Sequence, residues 1–360
     1  MHMKKIAFVL GTKAQFIKSK YVLMGLINKG VCLLMIDTGQ HREITQIELK
    51  EITSKFSYLS ISDNKKNISS IFSMISWFTK ILFNPYKIPE LKECSYCILH
   101  GDTISTLVGL IVAKKNNVEI IHLESGLKSG NWLKPFPEEI VRSIVTRFSD
   151  VLIIDSKESE RNVAKYSKSK QIIRISRNTI FDSVVQSARK LSSQYDESLI
   201  VTIHRTENIY NKNRLYLFVN LLMDIKNSNN FKEITWYCHD ITSKALQNNG
   251  LDKKLLNNGI ALKNLLTHDE FIEKICKAKA VITDGGSISE ECSILGINTV
   301  IWRDVVENEE YLNNNVILSN YNTEKVLAFL SSELSLRSSI NYGELNKISP
   351  SEEVVNKLLN

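Results

Sequence analysis

Cys97-Ile-Leu-His-Gly-Asp-Thr103 decides how this chain is read: an apolar run of strand length delivers a glycine and an acid into a short loop. Ile120-Ile-His-Leu-Glu-Ser-Gly126 repeats the device with a glutamate, and Leu199-Ile-Val-Thr-Ile-His204 with a histidine. Such runs suit strands covered on both faces. In a parallel α/β sheet the carboxyl ends of the strands face one crevice, so Asp102, Glu124 and His204 are expected to converge there. An acid–base set in that place predicts an enzyme.

Outward from these stretches, strand candidates recur with helical segments between them: Lys5–Leu10, Val31–Ile36, Tyr96–His100, Glu119–His122, Val151–Ile154 and Ile172–Ile175. A second series runs through Leu199–Ile203, Ile234–Cys238, Ile260–Leu262, Ala280–Thr283, Thr299–Ile301 and Val316–Leu318. The alternation predicts an α/β chain of two Rossmann-like, doubly wound parallel-sheet domains. Residues 1–176 form the first and 177–349 the second, with a short amphipathic helix over 350–360, begun by Pro350 and Ser351, packing back on the first. At 360 residues, two cores are the natural division.

Composition narrows the function classes. With 43% apolar residues and only 5 Pro and 14 Gly, the chain has the makings of sizeable cores and few long loops. The formal charge of +7 is spread along the chain without a basic block, which argues against a nucleic-acid partner. Six cysteines lie mostly inside apolar runs, as reduced thiols do. Cys94 and Cys97 form a CxxC with no second ligand pair at metal spacing, so no metal is expected. The opening Lys5–Leu10 reads as a first strand rather than a signal peptide, because Gly11-Thr-Lys-Ala-Gln breaks the apolar run. A cytoplasmic location follows from these features.

Asn67 to Ile88 has a different texture, with Ile71, Met74, Ile75, Phe78, Ile81 and Leu82 on one helical face and Phe72, Trp77 and Phe83 extending it. It is too short and interrupted to span a bilayer. A packed or dimer-interface helix is one reading. Peripheral membrane contact through Ile71–Phe83, helped by Lys65, Lys66, Lys80 and Lys87, is the other.

Several loops carry candidate chemistry. Gly11 lets the backbone approach a ligand at the start of the first helix, where Lys13 and Lys18 add positive charge. Thr283-Asp-Gly-Gly-Ser-Ile-Ser-Glu-Glu-Cys292 follows an apolar strand and opens a helix, so N–H groups at Gly285, Gly286 and Ser287 suit a diphosphate. Glu290 or Glu291, one turn on, suits a ribose diol; a capped helix with a tight entry turn is the bland alternative. Glu138 follows Pro135-Phe-Pro and by itself reads as a first-turn acid. His204 shares its loop with Arg205 and Glu207, and His239 ends a comparable strand.

Taken together, Gly11-Thr-Lys, Thr38-Gly-Gln-His-Arg-Glu43, His100-Gly-Asp-Thr103, His122-Leu-Glu-Ser-Gly-Leu-Lys-Ser-Gly130, Pro135-Phe-Pro-Glu-Glu139, Asn178-Thr-Ile-Phe-Asp182, His204-Arg-Thr-Glu-Asn208 and Asp284-Gly-Gly-Ser-Ile-Ser-Glu-Glu291 make the chain resemble the non-hydrolysing UDP-N-acetylglucosamine 2-epimerases of bacterial cell-surface sugar synthesis. The resemblance covers nearly the whole length. It implies a GT-B fold closing over a nucleotide sugar in a central cleft, a homodimer, and interconversion of UDP-GlcNAc and UDP-ManNAc by elimination and re-addition of UDP, with no nicotinamide and no metal. Roles carried over by the resemblance set Asp102, Glu124 and Glu138 around the sugar ring and His204 at the diphosphate. They set Lys18, Gly286, Glu290 and Glu291 in the UDP site. Gln40, His41 and Arg42, with Arg205 and His239, match positions where some members bind an activating second UDP-GlcNAc.

The chain departs from the family pattern in three places. Gly-Thr-Arg-Pro-Glu becomes Gly11-Thr-Lys-Ala-Gln15, exchanging a bidentate arginine for a point charge. Asp-Ser-Gly-Gly becomes Asp284-Gly-Gly-Ser, and Gly-Asn-Thr becomes Arg177-Asn-Thr. These changes and the apolar segment Ile71–Phe83 motivate the alternative of a glycosyltransferase serving a lipid-linked or polymeric acceptor. A catalytically silent sensor of a nucleotide sugar is a third reading.

Overall fold

The computed structural model describes residues 5–40, 56–61, 71–83, 87–128, 137–189, 196–306, 309, 312, 315–332 and 349–359. It resolves into two compact units, Met1–Ser183 with Ile348–Asn360, and Val184–Lys347.

The first unit is a seven-stranded parallel sheet of β1 (Lys5–Leu10), β2 (Cys32–Asp37), β3 (Ser57–Ser60), β4 (Tyr96–His100), β5 (Glu119–Leu123), β6 (Val151–Ile154) and β7 (Gln171–Arg174). Its order is β3-β2-β1-β4-β5-β6-β7. The strand order reverses between β1 and β4, so the loops after these two strands border a topological switch point. Ile6, Phe8, Ile98, Ile121 and Ile153 face one core, while Ala7, Val9, Cys97, Leu99 and Ile120 face another. That two-sided burial is why the strands read as unbroken apolar runs. β3 was absent from the strands expected from sequence; Ser57-Tyr-Leu-Ser60 is a short, half-exposed edge without the apolar signature of an inner strand.

The helix Pro350–Leu359 returns from the far end of the chain to this unit. Val354, Val355 and Leu358 join the core formed by Phe16, Leu23 and Leu26 of the helix Lys13–Asn28. Burying such side chains stabilises by about 2 kcal/mol each. A Cβ on Gly25 would stand 2.9 Å from Val355 Cγ2, so a side-chain-free position lets the two helices approach.

The second unit has six parallel strands: β8 (Ser198–Thr202), β9 (Glu233–Cys238), β10 (Ile260–Asn264), β11 (Ala280–Thr283), β12 (Thr299–Ile301) and β13 (Val316–Leu318). The order β10-β9-β8-β11-β12-β13 places its switch point between β8 and β11. Trp236, Trp302 and Phe218 anchor one core, their rings 5.2 and 5.3 Å from centroid to centroid about Phe218. All six cysteines are free, and burial pushes the Cys94 thiol up to about 11 and Cys97 higher still, so this CxxC carries inert thiols.

The apolar segment forms a helix over Ile71–Phe83. Trp77 turns inward, 5% exposed, and donates Nε1–H to Thr38 O at 3.1 Å, whereas Leu82 and Phe83 face outward. Among the described residues no helix is long and apolar enough to cross a membrane.

Candidate active site

In the first unit the loops after β1, β4, β5 and β6 assemble an acidic cluster. Glu124 follows β5 at φ +59°, in the left-handed region, between strand residues and Gly126 at φ +83°. A non-glycine residue there costs roughly 1–2 kcal/mol, a strain typical of residues retained for function. Lys18, from the helix Lys13–Asn28, meets Glu124 Oε1 at 2.5 Å, with both side chains 12% exposed. Asn178 donates Nδ2–H bonds of 2.8 Å to Glu124 Oε1 and to Asp155 Oδ2. His100 Nδ1 lies 3.7 Å from Glu124 Oε2.

Burial would raise the Glu124 pKa, but the charge of Lys18, followed by His100 and Arg142, overrides it and holds the carboxyl down at about 2. Asp155 is pushed the other way, to about 6, by burial and then by the neighbouring Glu124 charge. Asp102 is also raised, mainly by burial, against the pull of Arg142. Neighbouring carboxyls whose pKa values are driven apart are how a site holds a fixed charge and a transferable proton together.

Arg142 organises the rest. From the helix Glu138–Phe148 it donates to Asp102 Oδ2 and, at 3.0 Å, to Glu139 Oε2. Glu138 opens that helix one turn before Arg142. His122 Nε2 donates to Gly101 O at 2.8 Å, fixing the β4 loop from β5. Burial, the largest influence on both, takes the His100 and His122 pKa values down to about 4.

The first loop is knitted by Gln15, which the sequence presents only as a departure from the family pattern. Its Oε1 accepts the Gly11 and Thr12 N–H groups at 3.1 Å, and its Nε2 donates to His100 O at 2.8 Å. These amides of the expected anion site are therefore occupied. Lys13 begins the helix, and Gln40 Oε1 accepts Ser105 N at 3.2 Å. His41 and Arg42 lie outside the described residues.

In the second unit the switch point carries a different arrangement. Asp284, fully buried, accepts from His204 N at 3.0 and 3.1 Å, Arg205 N at 2.9 Å and Asn208 Nδ2 at 2.8 Å. Arg205 Nε donates to Asp284 O at 2.9 Å. These bonds pin the His204 loop to the loop after β11. The His204 Nδ1 atom lies 3.2 Å from Asp284 Oδ1, and its ring sits 4.6 Å from that of His239. Burial lowers the pKa of both histidines, His239 to about 4.

The helix Gly286–Ile294 starts here with Gly285 as its N-cap and no side-chain cap. Helix geometry leaves the N–H groups of Gly286 and Ser287 without intrahelical acceptors, a ready seat for an anion. A Cβ on Gly285 would lie 3.3 Å from His204 Cε1, which fits a backbone that passes close under the imidazole. Glu290 and Glu291 are buried on this helix.

Asp102, Glu124, Lys18 and the start of the Glu138 helix thus belong to the first unit, and His204, Arg205, His239 and the glycine loop to the second. Sequence reasoning assigned no role to His100, Arg142, Asp155 or Asn178. Asp155 ends an apolar run just as Asp102 and Glu124 do, and Arg142 stands three residues after Glu139, so both had a legible signal.

Residues 27–348 match the family model described as UDP-N-acetylglucosamine 2-epimerase. A UDP-N-acetylglucosamine 2-epimerase from Methanococcus maripaludis is 29% identical over 341 residues, 90% of either chain. The crystal structure of the Methanocaldococcus jannaschii UDP-GlcNAc 2-epimerase in complex with UDP-GlcNAc and UDP superposes with a TM-score of 0.79 at 26% identity, covering 99% of both chains. The Neisseria meningitidis UDP-GlcNAc 2-epimerase bound to UDP-GlcNAc shares the fold, with a TM-score of 0.81 at 21% identity over 99% of both chains. The two parallel-sheet units and these likenesses make the fold GT-B.

Proposed function

The chain belongs to the UDP-N-acetylglucosamine 2-epimerase family, and from that premise we propose that it is an isomerase interconverting UDP-GlcNAc and UDP-ManNAc. The observation that carries the reading is Glu124, a buried carboxylate kept ionised by Lys18 in a strained turn at the carboxyl end of the sheet.

Inverting C2 needs a proton removed from an unactivated carbon. Breaking the neighbouring C1–O bond supplies the activation: C2–H and C1–O are cleaved, C1=C2 forms, and UDP leaves with the electron pair of the C1–O bond. Return of a proton to the opposite face of C2 and of the UDP oxygen to C1 closes the balance. A carboxylate held near pKa 2 is a weak base, so Glu124 serves best as a fixed negative charge beside the positive charge developing at C1. Asp102, with its raised pKa, and Glu138 are the groups for proton exchange at C2.

The diphosphate falls to the helix start at Gly286 and Ser287 with Arg205 and His204, the Gly285 N–H expected from sequence being taken by Thr283 Oγ1 at 3.0 Å. His204 is neutral at neutral pH when no anion is bound, since burial lowers its pKa. An arriving diphosphate favours its protonated form and so recruits a second cation as charge accumulates on the leaving group. Gln40, His41, Arg42 and His239 are the residues for an activating nucleotide sugar, and a homodimer is the assembly the family resemblance suggests. Peripheral membrane contact rests on Leu82 and Phe83, the exposed end of their helix.

The test is incubation with UDP-GlcNAc in deuterated water, following deuterium entry at C2 by NMR. Exchange and UDP-ManNAc formation are expected, both lost in Asp102→Asn and Glu124→Gln. A folded parent that binds UDP-GlcNAc yet exchanges nothing, even with excess substrate as activator, would refute the reading.

A further inference from the structure

His268 is a half-buried histidine that none of the sequence motifs includes. It is the first residue of the helix His268–Lys277, whose start is fixed by a capping box: Glu270 accepts from Thr267 N at 2.9 Å, and Thr267 Oγ1 accepts from Glu270 N at 3.4 Å. A backbone held this way aims the side chain with little freedom. The His268 Nε2 atom meets Glu291 Oε1 at 3.1 Å, and the two side chains are 11% and 5% exposed. Asp269 flanks the ring, its Oδ1 3.9 Å from Nδ1, and is itself held by Ser187 Oγ at 2.6 Å.

One oxygen of Glu291 is thus anchored. The other, Oε2, is buried and has no hydrogen-bond partner among the described residues. A buried acceptor without a donor is unfavourable, and a ligand hydroxyl that supplies the donor relieves it. Glu291 lies on the helix whose start is assigned to the diphosphate, one turn beyond the anion seat, where a nucleotide places its ribose.

We propose that His268 is a positioning residue for nucleotide recognition, holding Glu291 by Oε1 so that Oε2 accepts a ribose hydroxyl and selects ribonucleotides over deoxyribonucleotides. The inference rests on the reading above that the helix Gly286–Ile294 takes the nucleotide. Burial alone would make His268 a poor cation, but Glu291 and Asp269 outweigh it and raise its pKa to about 9. The anchoring imidazole is therefore protonated at neutral pH. Sites that pair a buried group with a ligand hydroxyl reject the analogue lacking it far more strongly than apolar pockets do.

The experiment is calorimetric titration of the full chain with UDP, 2′-deoxy-UDP and 3′-deoxy-UDP. UDP is expected to bind about tenfold or more tightly than at least one deoxy analogue. Glu291→Gln and His268→Asn, whose amide is too short to reach Glu291, should each reduce that ratio below about threefold. His268→Gln, which still reaches with an N–H donor, should keep most of it, a rescue that a purely structural role does not predict. Equal binding of UDP and both analogues by the parent would overturn the inference and leave the nucleotide reading standing. So would a ratio lost in Glu291→Gln but unchanged in His268→Asn. Failure of UDP itself to bind would instead strike the nucleotide reading.

Discussion

Lys18→Met removes the cation that keeps Glu124 ionised, and its effect can be worked from the geometry. Glu124 is held at about 2 against an ordinary value of 4.5, which corresponds to roughly 3 kcal/mol of stability at neutral pH. Because the folded pKa is depressed, that contribution is present above 4.5 and disappears as pH falls towards 2. Without Lys18, burial dominates and the carboxylate becomes an uncompensated charge in a site where Lys18 and Glu124 were each only 12% exposed. Removing one partner of such a pair typically costs about 3–5 kcal/mol, so a loss of about 3 kcal/mol is expected in urea unfolding at pH 7. Lys18→Met combined with Glu124→Gln should recover more than about 1 kcal/mol of it, since the orphaned charge is gone. Deuterium exchange at C2 should be lost in both variants. A single-variant loss below about 1 kcal/mol, or strict additivity within about 0.5 kcal/mol, would show that the pair is not coupled as described.

Acid titration reports on His100 and His122, which stay neutral in the fold down to about pH 4. The unfolded chain binds their protons first, so stability is complete above about 6.5 and falls between 6.5 and 4, by roughly 3 kcal/mol for each group. His122→Gln should flatten that limb of the stability curve in denaturant unfolding; an unchanged slope would contradict the assignment. Asp284→Ala leaves the His204 and Arg205 amides without their acceptor and takes from Asn208 Nδ2 the shorter of its two bonds. Unfolding should become easier by at least about 2 kcal/mol, with UDP binding weakened more than tenfold in calorimetry. Gly285→Ser restores the residue usual in the family, but its Cβ arrives 3.3 Å from His204 Cε1 while the local φ of −87° imposes no backbone penalty. Thermal stability should change by less than about 1 kcal/mol while kcat falls about tenfold from the displaced imidazole, and an unaltered kcat would show that the ring is free to yield.

The apolar runs made most of the architecture legible. Lys5–Leu10, Tyr96–His100, Val151–Ile154, Ala280–Thr283, Thr299–Ile301 and Val316–Leu318 are strands with the boundaries the sequence suggested. Strands buried on both faces must be apolar throughout, so their pattern survives without knowledge of neighbours. β3 escaped for the converse reason: an edge strand with two serines carries no such constraint. The acids at strand ends were equally visible, because a parallel sheet directs the ends of its strands to one side.

Pairing was not visible. Lys18 reaches Glu124 across 106 residues, Arg142 reaches Asp102 across 40, and Asn178 bridges Glu124 to Asp155. Which cation neutralises which acid depends on strand order, and the order β3-β2-β1-β4-β5-β6-β7 brings the ends of β1 and β4 together although β2, β3 and the helices Lys13–Asn28 and Ile71–Phe83 lie between them in the chain. The same holds for His268, an ordinary first-turn residue until helix packing sets it against Glu291. The chain by itself thus determined the strands, their count in the core and the acids they deliver, since these follow from local burial and spacing. Tertiary structure alone decided which acid is held ionised and which has its pKa pushed up, because a pKa is set by every charge and every layer of buried surface around the group, however distant in sequence.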